Sequence, residues 1–418
     1  MIQLIRGFKD ILPGEVELWQ HIEAVTRSLF EDFGFKEIRI PIMEKTELFA
    51  RSIGEDTDIV EKEMYTFPDR KGDLVTLRPE ATASVCRAYI QHKLYAGDPV
   101  RKLYTIGPMF RRERPQKGRY RQFYQINAEI LGVDSPLADV ELILLLMTLF
   151  SRLSVPDIQA HVNSLGCPGC RPDFKAALTV YFSSVAAGLC SDCLRRKDRN
   201  PLRVLDCKVP ACRTAMTDAP SILDHLCPAC TLDFETVQRE LSTLGIPFIV
   251  DKQLVRGLDY YVRTTFEIQT GSLGAQSAVA GGGRYDGLIE ALGGPDLPGT
   301  GFAIGFDRLA EVTELSSADY IKAPDIFLAA LGEKSRALAF EWKCGLVLEG
   351  IAAEMDFSDK NLKSQMKQAN RLNAPYVLIV GEKEIEEGLA VLRNMETKAQ
   401  VSVPLKNLVE SVKKQLDK

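Results

Sequence analysis

Eight of the ten cysteines in this 418-residue chain form four short-range pairs between residues 167 and 230. Their motifs are CPGC, CSDC, CKVPAC and CPAC, with C-x2-C or C-x4-C spacing. Two such pairs supply the four thiolates of a structural zinc site, so eight thiols predict two Zn²⁺ sites. The compact middle pairs suggest one group and leave the outer pairs for the other: Cys190, Cys193, Cys207 and Cys212, and Cys167, Cys170, Cys227 and Cys230.

The cellular compartment bears on how these thiols are used. Residues 1–15 carry charges and a Pro-Gly pair but no apolar run of signal-peptide length, so we expect a cytoplasmic protein that is not exported. Disulfides are rare in that setting, and a metal with four protein ligands has no open position for catalysis. Metal-free thiols or redox-active dithiols are the alternative for some of the pairs.

The residue pattern on either side of the cysteines divides the chain. Residues 1–166 and 244–320 alternate amphipathic helical patterns with short β-rich runs, which predicts one domain in two parts and an insertion at 167–243. After residue 325 strands alternate with helices, which predicts a separate α/β domain at 325–418. The apolar run 142–150 is about half the roughly 20 residues that a membrane span needs, so we expect a buried helix and no membrane segment.

A cluster of cations occupies residues 110–125, FRRERPQKGRYRQFYQ, in a chain whose net charge is −5. Pro115 and Gly118 are turn residues and predict a hairpin. Strand alternation would place a carboxylate, guanidinium groups and an aromatic ring on one face, a combination that can hold a nucleotide. A solvated hairpin with surface salt bridges is the alternative. The predicted face comprises Arg111, Glu113, Arg121 and Phe123, and the predicted tip comprises Arg114, Gln116, Lys117 and Arg119.

Four further motifs could contribute to a ligand site of this kind. AGGGRYDG has three consecutive glycines, which allow a ligand to approach the backbone closely, and GFAIGFDRL puts Arg308 at a predicted strand-to-helix junction. LVRGLDYY brings Arg256 next to Tyr260 and Tyr261, and LVTLRPEATAS puts Glu80 and Thr82 at a second such junction. Any one of these side chains could be structural, so the motifs carry weight only in combination.

These motifs, in this order, resemble those of the class II aminoacyl-tRNA synthetases, and LVRGLDYY is similar to the segment that distinguishes the histidyl-tRNA synthetases. The likeness runs from RGFKDILP at residue 6 through the C-terminal domain. It implies an α+β fold, with an antiparallel catalytic sheet flanked by helices and a C-terminal α/β domain that binds the histidine anticodon. It further implies a homodimer that activates histidine with ATP and Mg²⁺ and transfers it to the 3′ end of tRNA(His).

The resemblance also implies roles for single residues. Arg111 and Arg256 would be catalytic and approach the α-phosphate. The ATP site would comprise Arg111, Glu113 at the adenine edge, Phe123 stacked on adenine, and Arg308. The histidine site would comprise Glu80, Thr82 and Gln125 for the ammonium group, Glu129 and Tyr261 for the ring nitrogens, and Tyr260 and Arg256. The acceptor end of tRNA would contact Arg114, Gln116 and Arg119.

Two other functions stay open at this point. The first is a non-catalytic regulatory paralogue of the kind that partners ATP phosphoribosyltransferase; such proteins usually lose motif residues and the last domain, and this chain keeps both. The second is a class II enzyme for another amino acid.

The cysteines are a departure from the family pattern, since many members of the family have an insertion here without them. A clamp on the tRNA acceptor stem is one role that the insertion could have.

Overall fold

The computed structural model describes residues 2–54, 57, 59–115, 118–271 and 278–416. The chain divides into two compact units, Met1–Asp319 and Tyr320–Lys418. None of the described helices has the length and apolar character needed to cross a lipid bilayer.

The first unit is built on an eight-stranded sheet in the order β1-β5-β6-β11-β10-β9-β7-β8. Its central pairs are antiparallel, and the pairs that involve the edge strands β1 and β8 are parallel. A small antiparallel sheet has the order β2-β4-β3. The strands are β1 (Lys36–Glu37), β2 (Met43–Lys45), β3 (Tyr65–Pro68), β4 (Leu74–Leu77), β5 (Arg101–Phe110), β6 (Gln122–Leu131), β7 (Ile158–Ser164), β8 (Phe248–Val250), β9 (Val262–Thr270), β10 (Ala278–Arg284) and β11 (Gly299–Gly305).

Helices flank this sheet and form most of the insertion. Short helical turns of other types lie at Ile59–Glu63, Ala186–Gly188, Ile222–His225 and Ser317–Tyr320. The α-helices are α1 (Val16–Asp32), α2 (Thr46–Ile53), α3 (Thr82–Gln91), α4 (Pro136–Arg152), α5 (Arg171–Ser184), α6 (Ser191–Arg199), α7 (Leu202–Leu205), α8 (Pro210–Ala215), α9 (Pro228–Thr243), α10 (Leu288–Ala291) and α11 (Phe306–Val312). The predicted α+β architecture is confirmed.

Helix α4 shows how the sequence sets the packing. The Ser135 hydroxyl accepts a hydrogen bond from Leu137 N at 3.3 Å, and Pro136 occupies the first turn, where its missing N–H costs nothing. The helix then buries most of its apolar side chains, from Leu142 to Phe150, against the sheet and α9. The run 142–150 is therefore the buried helix that its length predicts.

The insertion starts after β7 and ends before β8, two strands that pair in parallel at one end of the large sheet. Although its sequence has few long apolar runs, it buries a core of its own around Phe174, Phe182 and Val204. All eight of its cysteines are part of that core or pack against it, so the thiols and the apolar side chains stabilise the same small volume: Cys170, Cys193, Cys207, Cys212 and Cys230 are buried in it, and Cys167, Cys190 and Cys227 are half-buried against it.

The second unit is a small α/β domain, as predicted. Its five-stranded sheet has the order β13-β12-β14-β15-β16, in which β12 pairs in parallel with β13 and β14. Its core packs Trp342 and apolar residues of the helices against Ile326, Leu328 and Leu378 of the sheet. The elements are β12 (Ile326–Ala330), α12 (Glu333–Leu348), β13 (Ala353–Met355), α13 (Leu362–Arg371), β14 (Tyr376–Val380), α14 (Glu382–Glu387), β15 (Leu389–Asn394), β16 (Gln400–Pro404) and α15 (Leu408–Gln415).

Candidate active site

A cavity of about 280 Å³ lies on the large sheet, over β6, β9, β10 and β11. Its walls are the connection between β5 and β6, the first turn of α11, and the 256–261 segment that precedes β9. Four motifs that are far apart in the sequence therefore meet around one space. The cavity is close to the lower end of the range found for small-molecule sites.

Guanidinium groups from three separate segments of the chain converge on this cavity. Arg111 donates from Nε to the Pro79 carbonyl at 2.9 Å, and its guanidinium lies 5.3 Å from the centre of the Phe123 ring. Arg308, in the first turn of α11, donates from Nη1 to the Ala278 carbonyl at 2.9 Å. Arg256 completes the set, so three separate segments present fixed positive charge to the same volume.

Arg256 is held in place by a carboxylate and a ring. Its Nη1 lies 2.6 Å from Glu267 Oε1 on β9, and its guanidinium lies 5.5 Å from the centre of the Tyr261 ring. Its Nε has no hydrogen-bond partner among the described residues. The guanidinium thus keeps donor capacity that a bound anion could use.

The cationic stretch is a hairpin, but its arginines lie beyond the strands. The pairing of β5 with β6 ends at Phe110 and Gln122, and the connection then leaves the sheet. Glu113 faces the cavity, where its Oε2 is 2.9 Å from Arg119 Nη1. Strand alternation was wrong for Arg121, which bonds to the Arg6 and Gly7 carbonyls instead of facing the cavity.

A second end of the cavity is built from carboxylates and hydroxyls. The carboxylate of Glu80 accepts the backbone N–H of Thr82 at 2.6 Å and of Ala83 at 3.0 Å, which satisfies free donors at the start of α3. The Thr82 hydroxyl donates to Glu129 Oε1 at 2.7 Å, and the Tyr285 hydroxyl donates to Glu129 Oε2 at 2.5 Å. Both oxygens of a fully buried acid are therefore satisfied within the protein.

Burial raises the pKa of Glu129 to about 8, although the hydrogen bonds from Tyr285 and Thr82 favour the ionised form. The folded protein therefore holds a proton that the unfolded chain releases above the ordinary value of 4.5. Between these two values the folded state binds more protons, so its stability falls as the pH rises, by up to about 1.4 kcal/mol per pH unit.

Replacing Glu129 with glutamine removes this titration. We expect the stability of E129Q relative to the unchanged protein to improve steadily as the pH is raised from about 5 to about 8. Urea unfolding of both proteins at each pH measures the difference, in which the contributions of other buried acids cancel. A difference that does not change with pH would contradict the protonated state of Glu129.

Comparison with known proteins identifies the family. The family model for histidyl-tRNA synthetase matches residues 7–309, and the model for the anticodon binding domain matches residues 325–415. The chain belongs to the histidyl-tRNA synthetase family. The histidine–tRNA ligase of Desulfatibacillum aliphaticivorans is 63% identical over 412 residues, which cover 99% of this chain and 98% of that protein. The histidine–tRNA ligase of Geobacter sulfurreducens is 55% identical over 97% of this chain and 98% of its own.

Solved structures agree with this assignment. The apo histidyl-tRNA synthetase of S. aureus has a TM-score of 0.81 and 36% identity, and the match covers 98% of this chain and 99% of that one. A Bacillus halodurans protein described as an ATP phosphoribosyltransferase regulatory subunit/histidyl-tRNA synthetase has a TM-score of 0.66 at 18% identity. At that identity the second match shows a shared fold and nothing about activity.

The structure gathers most of the residues to which resemblance to the synthetases assigns ligand contacts. Glu129 is not among the described residues that line the cavity; it lies behind Thr82. Arg114 is also outside the lining, and Gln116 falls outside the described residues. The predicted residues that line the cavity are Glu80, Thr82, Arg111, Glu113, Arg119, Phe123, Gln125, Arg256, Tyr260, Tyr261 and Arg308.

The sequence patterns did not predict three side chains of the synthetase site. Asn127 lines the cavity, and its Oδ1 has no partner among the described residues; it could have been found, because alternation along β6 puts it on the same face as Gln125 and Glu129. Glu267 is the partner of Arg256, and an acidic residue within the largely buried strand β9 was its only signal. Tyr285, in GGGRYDG, donates to the buried acid and packs against the Tyr260 ring at 5.7 Å between centres, and nothing in the sequence indicated these contacts.

The eight cysteines form two groups of four thiols, with the membership that the spacing suggested. In each group the sulfur atoms lie within 4.8 Å of one another. Cys167 Sγ is 3.6 Å from Cys170 Sγ and 4.0 Å from Cys227 Sγ, and all eight thiols are free of disulfides. Backbone N–H donors lower the pKa of Cys190 and of Cys227 to about 7, which favours the thiolate that metals bind.

Proposed function

We propose that the cavity binds ATP and histidine side by side and that the guanidinium groups of Arg111, Arg256 and Arg308 stabilise the transfer between them. The chain is a histidine–tRNA ligase, a class II aminoacyl-tRNA synthetase. In the first step the histidine carboxylate attacks the α-phosphorus of ATP and displaces pyrophosphate, and in the second the 3′ end of the tRNA accepts the histidyl group. The convergence of Arg111, Arg256 and Arg308 on one cavity is the observation that supports these assignments.

At the ATP end, Arg111 and Arg256 are the proposed catalytic residues. The transition state gathers negative charge on the phosphoryl oxygens, and guanidinium groups already fixed by Pro79, Phe123 and Glu267 need little reorganisation to meet it. Phe123 would stack on the adenine ring, Glu113 would accept from its edge, and Arg308 would close the opposite side.

Mg²⁺ is proposed to enter with ATP, where it would neutralise phosphate oxygens. Two carboxylates of the cavity wall, Glu113 and Glu267, each pair with an arginine. That arrangement fits an ion carried by the nucleotide better than one held by the protein alone.

At the histidine end, Glu80, Thr82 and Gln125 are proposed to bind the ammonium group. The Gln125 carbonyl oxygen is buried without a partner among the described residues, so an ammonium donor would satisfy it. Glu129 and Tyr261 would take the two ring nitrogens; Glu129 lies behind Thr82, so it would have to exchange the hydrogen bond from the Thr82 hydroxyl for one from the imidazole. Tyr260 packs beside Tyr261, with 4.6 Å between the ring centres. An amino acid of similar shape that left these buried groups unpaired would bind far more weakly than one that lacked a methylene group.

The tRNA is proposed to meet both units. Arg119 and Arg114 lie in the connection between β5 and β6, where they would contact the acceptor end together with Gln116, which is outside the described residues. The anticodon of tRNA(His) would bind to the second unit, whose match to the anticodon binding domain supports this role.

Histidine-dependent exchange between ATP and pyrophosphate tests the proposed function. With all twenty amino acids offered singly, we expect histidine alone to support exchange. Exchange with proline or threonine would indicate another synthetase of the class, and no exchange with any amino acid would indicate the regulatory paralogue.

Each group of four cysteines is proposed to hold one structural Zn²⁺. Zinc–sulfur bonds of about 2.3 Å in a tetrahedron separate the sulfur atoms by about 3.8 Å. The separations of 3.6 Å and 4.0 Å in one group and 3.9 Å between Cys190 and Cys207 in the other fit that geometry. Four thiolates fill the coordination sphere, so the metal would stabilise the insertion and take no part in the reaction.

Elemental analysis of the purified protein is expected to find about two zinc ions per chain, one for each group. Replacing Cys190 and Cys212 with serine should lower the content to one, because thiolate ligands of a single group are lost. Replacing Cys344 with serine is the matched control, since this cysteine is exposed and belongs to neither group, and it should leave two. Protein without zinc would contradict the proposal.

We also propose that the protein is a cytoplasmic homodimer. Its proposed domains are a catalytic domain in two parts, 1–166 and 244–320, the insertion at 167–243 and the anticodon-binding domain at 325–418. The small sheet supports a dimer, because Met43, Phe67 and Leu74 are each more than 40% exposed there and would be covered by a second copy. Light scattering at twice the chain mass would support it.

A further inference from the structure

The segment 253–261, which ends with the two tyrosines of the histidine site, has one side on the cavity and the other against the insertion. On the cavity side lie Arg256, Tyr260 and Tyr261. On the other side Val255 packs against the cysteine-bearing core, and the Gln253 side chain donates to the Met216 carbonyl at 3.0 Å. The insertion therefore forms the back of the wall that holds the histidine-specific residues.

Three polar side chains of the insertion bind this segment directly. Arg203 donates from Nε and Nη2 to Asp259 Oδ1 at 3.4 Å and 3.3 Å, and Asn200 donates from Nδ2 to the same oxygen at 3.3 Å. Arg171 donates from Nη2 to the Tyr261 carbonyl. A small cavity of about 130 Å³ separates the two surfaces, and these residues line it.

Two of these donors lie close in sequence to the cysteine groups. Arg171 follows Cys170 and opens α5, and Arg203 lies in α7, which ends two residues before Cys207. One donor thus lies close in sequence to each group of four cysteines. The end of α2 contributes an opposing anchor, because the Asp259 backbone N–H donates to the Ile53 carbonyl at 3.3 Å and the Asp259 carboxylate lies close to Gly54.

We propose that the insertion positions the histidine-binding wall, with Arg171, Asn200 and Arg203 as positioning residues that act through Asp259 and Tyr261. None of the three lines the main cavity, so they act on histidine through the segment. The inference rests on the proposed function, since it assumes that segment 256–261 binds histidine.

The strength of these contacts determines what a mutation should change. The Arg203 side chain is 14% exposed and Asp259 is 37% exposed, and pairs near the surface contribute little to stability. A displacement of about 1 Å at reacting groups can nevertheless lower a rate on the order of 100-fold. Loss of the pair should therefore affect kinetics with histidine much more than unfolding.

The test is a double-mutant cycle of Arg203→Ala and Asp259→Ala in the full chain. Exchange kinetics are measured at varied histidine and at varied ATP, together with the melting temperature. We expect each single variant to lower kcat/KM for histidine on the order of 10-fold or more, with KM for ATP within about twofold. The double variant should be no worse than either single one, because both remove the same contact.

Two further variants guard against a trivial outcome. Arg203→Lys should recover part of the loss, since it keeps the charge beside Asp259. Arg195→Ala is the matched control: this arginine belongs to the insertion, is exposed and pairs with Asp192 on the surface, and its loss should change neither KM. If Arg203→Ala lowers the melting temperature, kcat/KM for histidine is compared between Arg203→Lys, which keeps the charge pair, and Asp259→Asn, which loses it, at one temperature at which both are folded. A lower value for Asp259→Asn would support the positioning role, and equal values would refute it.

Other results would overturn the inference. Additive effects in the cycle, an equal rise in both KM values, or kcat/KM for histidine within twofold of the unchanged protein would each refute the positioning role. A different failure, in which the unchanged protein shows no histidine-dependent exchange, would refute the proposed function itself.

Discussion

Replacing Arg256 with histidine is expected to lower the rate of histidine-dependent exchange on the order of 100- to 1,000-fold. The guanidinium of Arg256 lines the cavity, fixed by Glu267 at 2.6 Å and by the Tyr261 ring. A neutral imidazole in its place reaches less far and carries no charge to meet the phosphoryl oxygens. Because the lost interaction belongs mainly to the transition state, kcat should fall more than KM rises.

A matched control separates this effect from loss of an ion pair. Arg27 Nη1 lies 2.7 Å from Glu37 Oε2, in a partly exposed ion pair outside the cavity. We expect Arg27→His to leave exchange unchanged, and both variants to keep the circular dichroism spectrum of the unchanged protein. Near-normal turnover of R256H would discredit the catalytic role of Arg256.

The sequence predicted the parts of this site that depend on short-range pattern. Turn residues predicted the hairpin at 110–125, and strand-to-helix junctions at Glu80 and Arg308 follow from an apolar run ending before a helical one. The cysteine groups follow from spacing, because nearby pairs reach a common point with little chain between them. These features need only a few neighbouring residues to be specified.

Contacts between distant strands could not be predicted in this way. The environment of Glu129 depends on Tyr285, which is 156 residues away in the chain and reaches it across the sheet. Strand alternation predicted that Arg121 faces the cavity. Arg121 lies outside the paired strands, however, and its side chain donates to the Arg6 carbonyl of the N-terminal segment instead. The contact of Arg203 with Asp259 likewise depends on how the insertion packs, which no motif of either segment indicates.

The structure explains why residue 281 has no side chain, which the sequence alone does not. Gly281 lies in the middle of β10, paired with Glu267 of β9 and Ala303 of β11, where glycine weakens a strand. A Cβ at this position would lie 2.7 Å from Cζ of Arg256. The missing side chain therefore leaves the space in which the guanidinium rests, and the glycine-dense motif serves the arginine of another motif.

Replacing Gly281 with alanine is consequently expected to lower exchange on the order of 100-fold, because the methyl group would displace the Arg256 guanidinium by about 1 Å while its charge remains. The strand itself should tolerate alanine, so the melting temperature should hold or rise slightly. Gly271→Ala is the matched control: at the end of the neighbouring strand, its Cβ would meet Asp157 at an ordinary 3.9 Å, and activity should be retained. If G281A exchanges at the normal rate, the guanidinium does not need the position seen in this structure, and the transition-state role assigned to Arg256 loses its geometric basis.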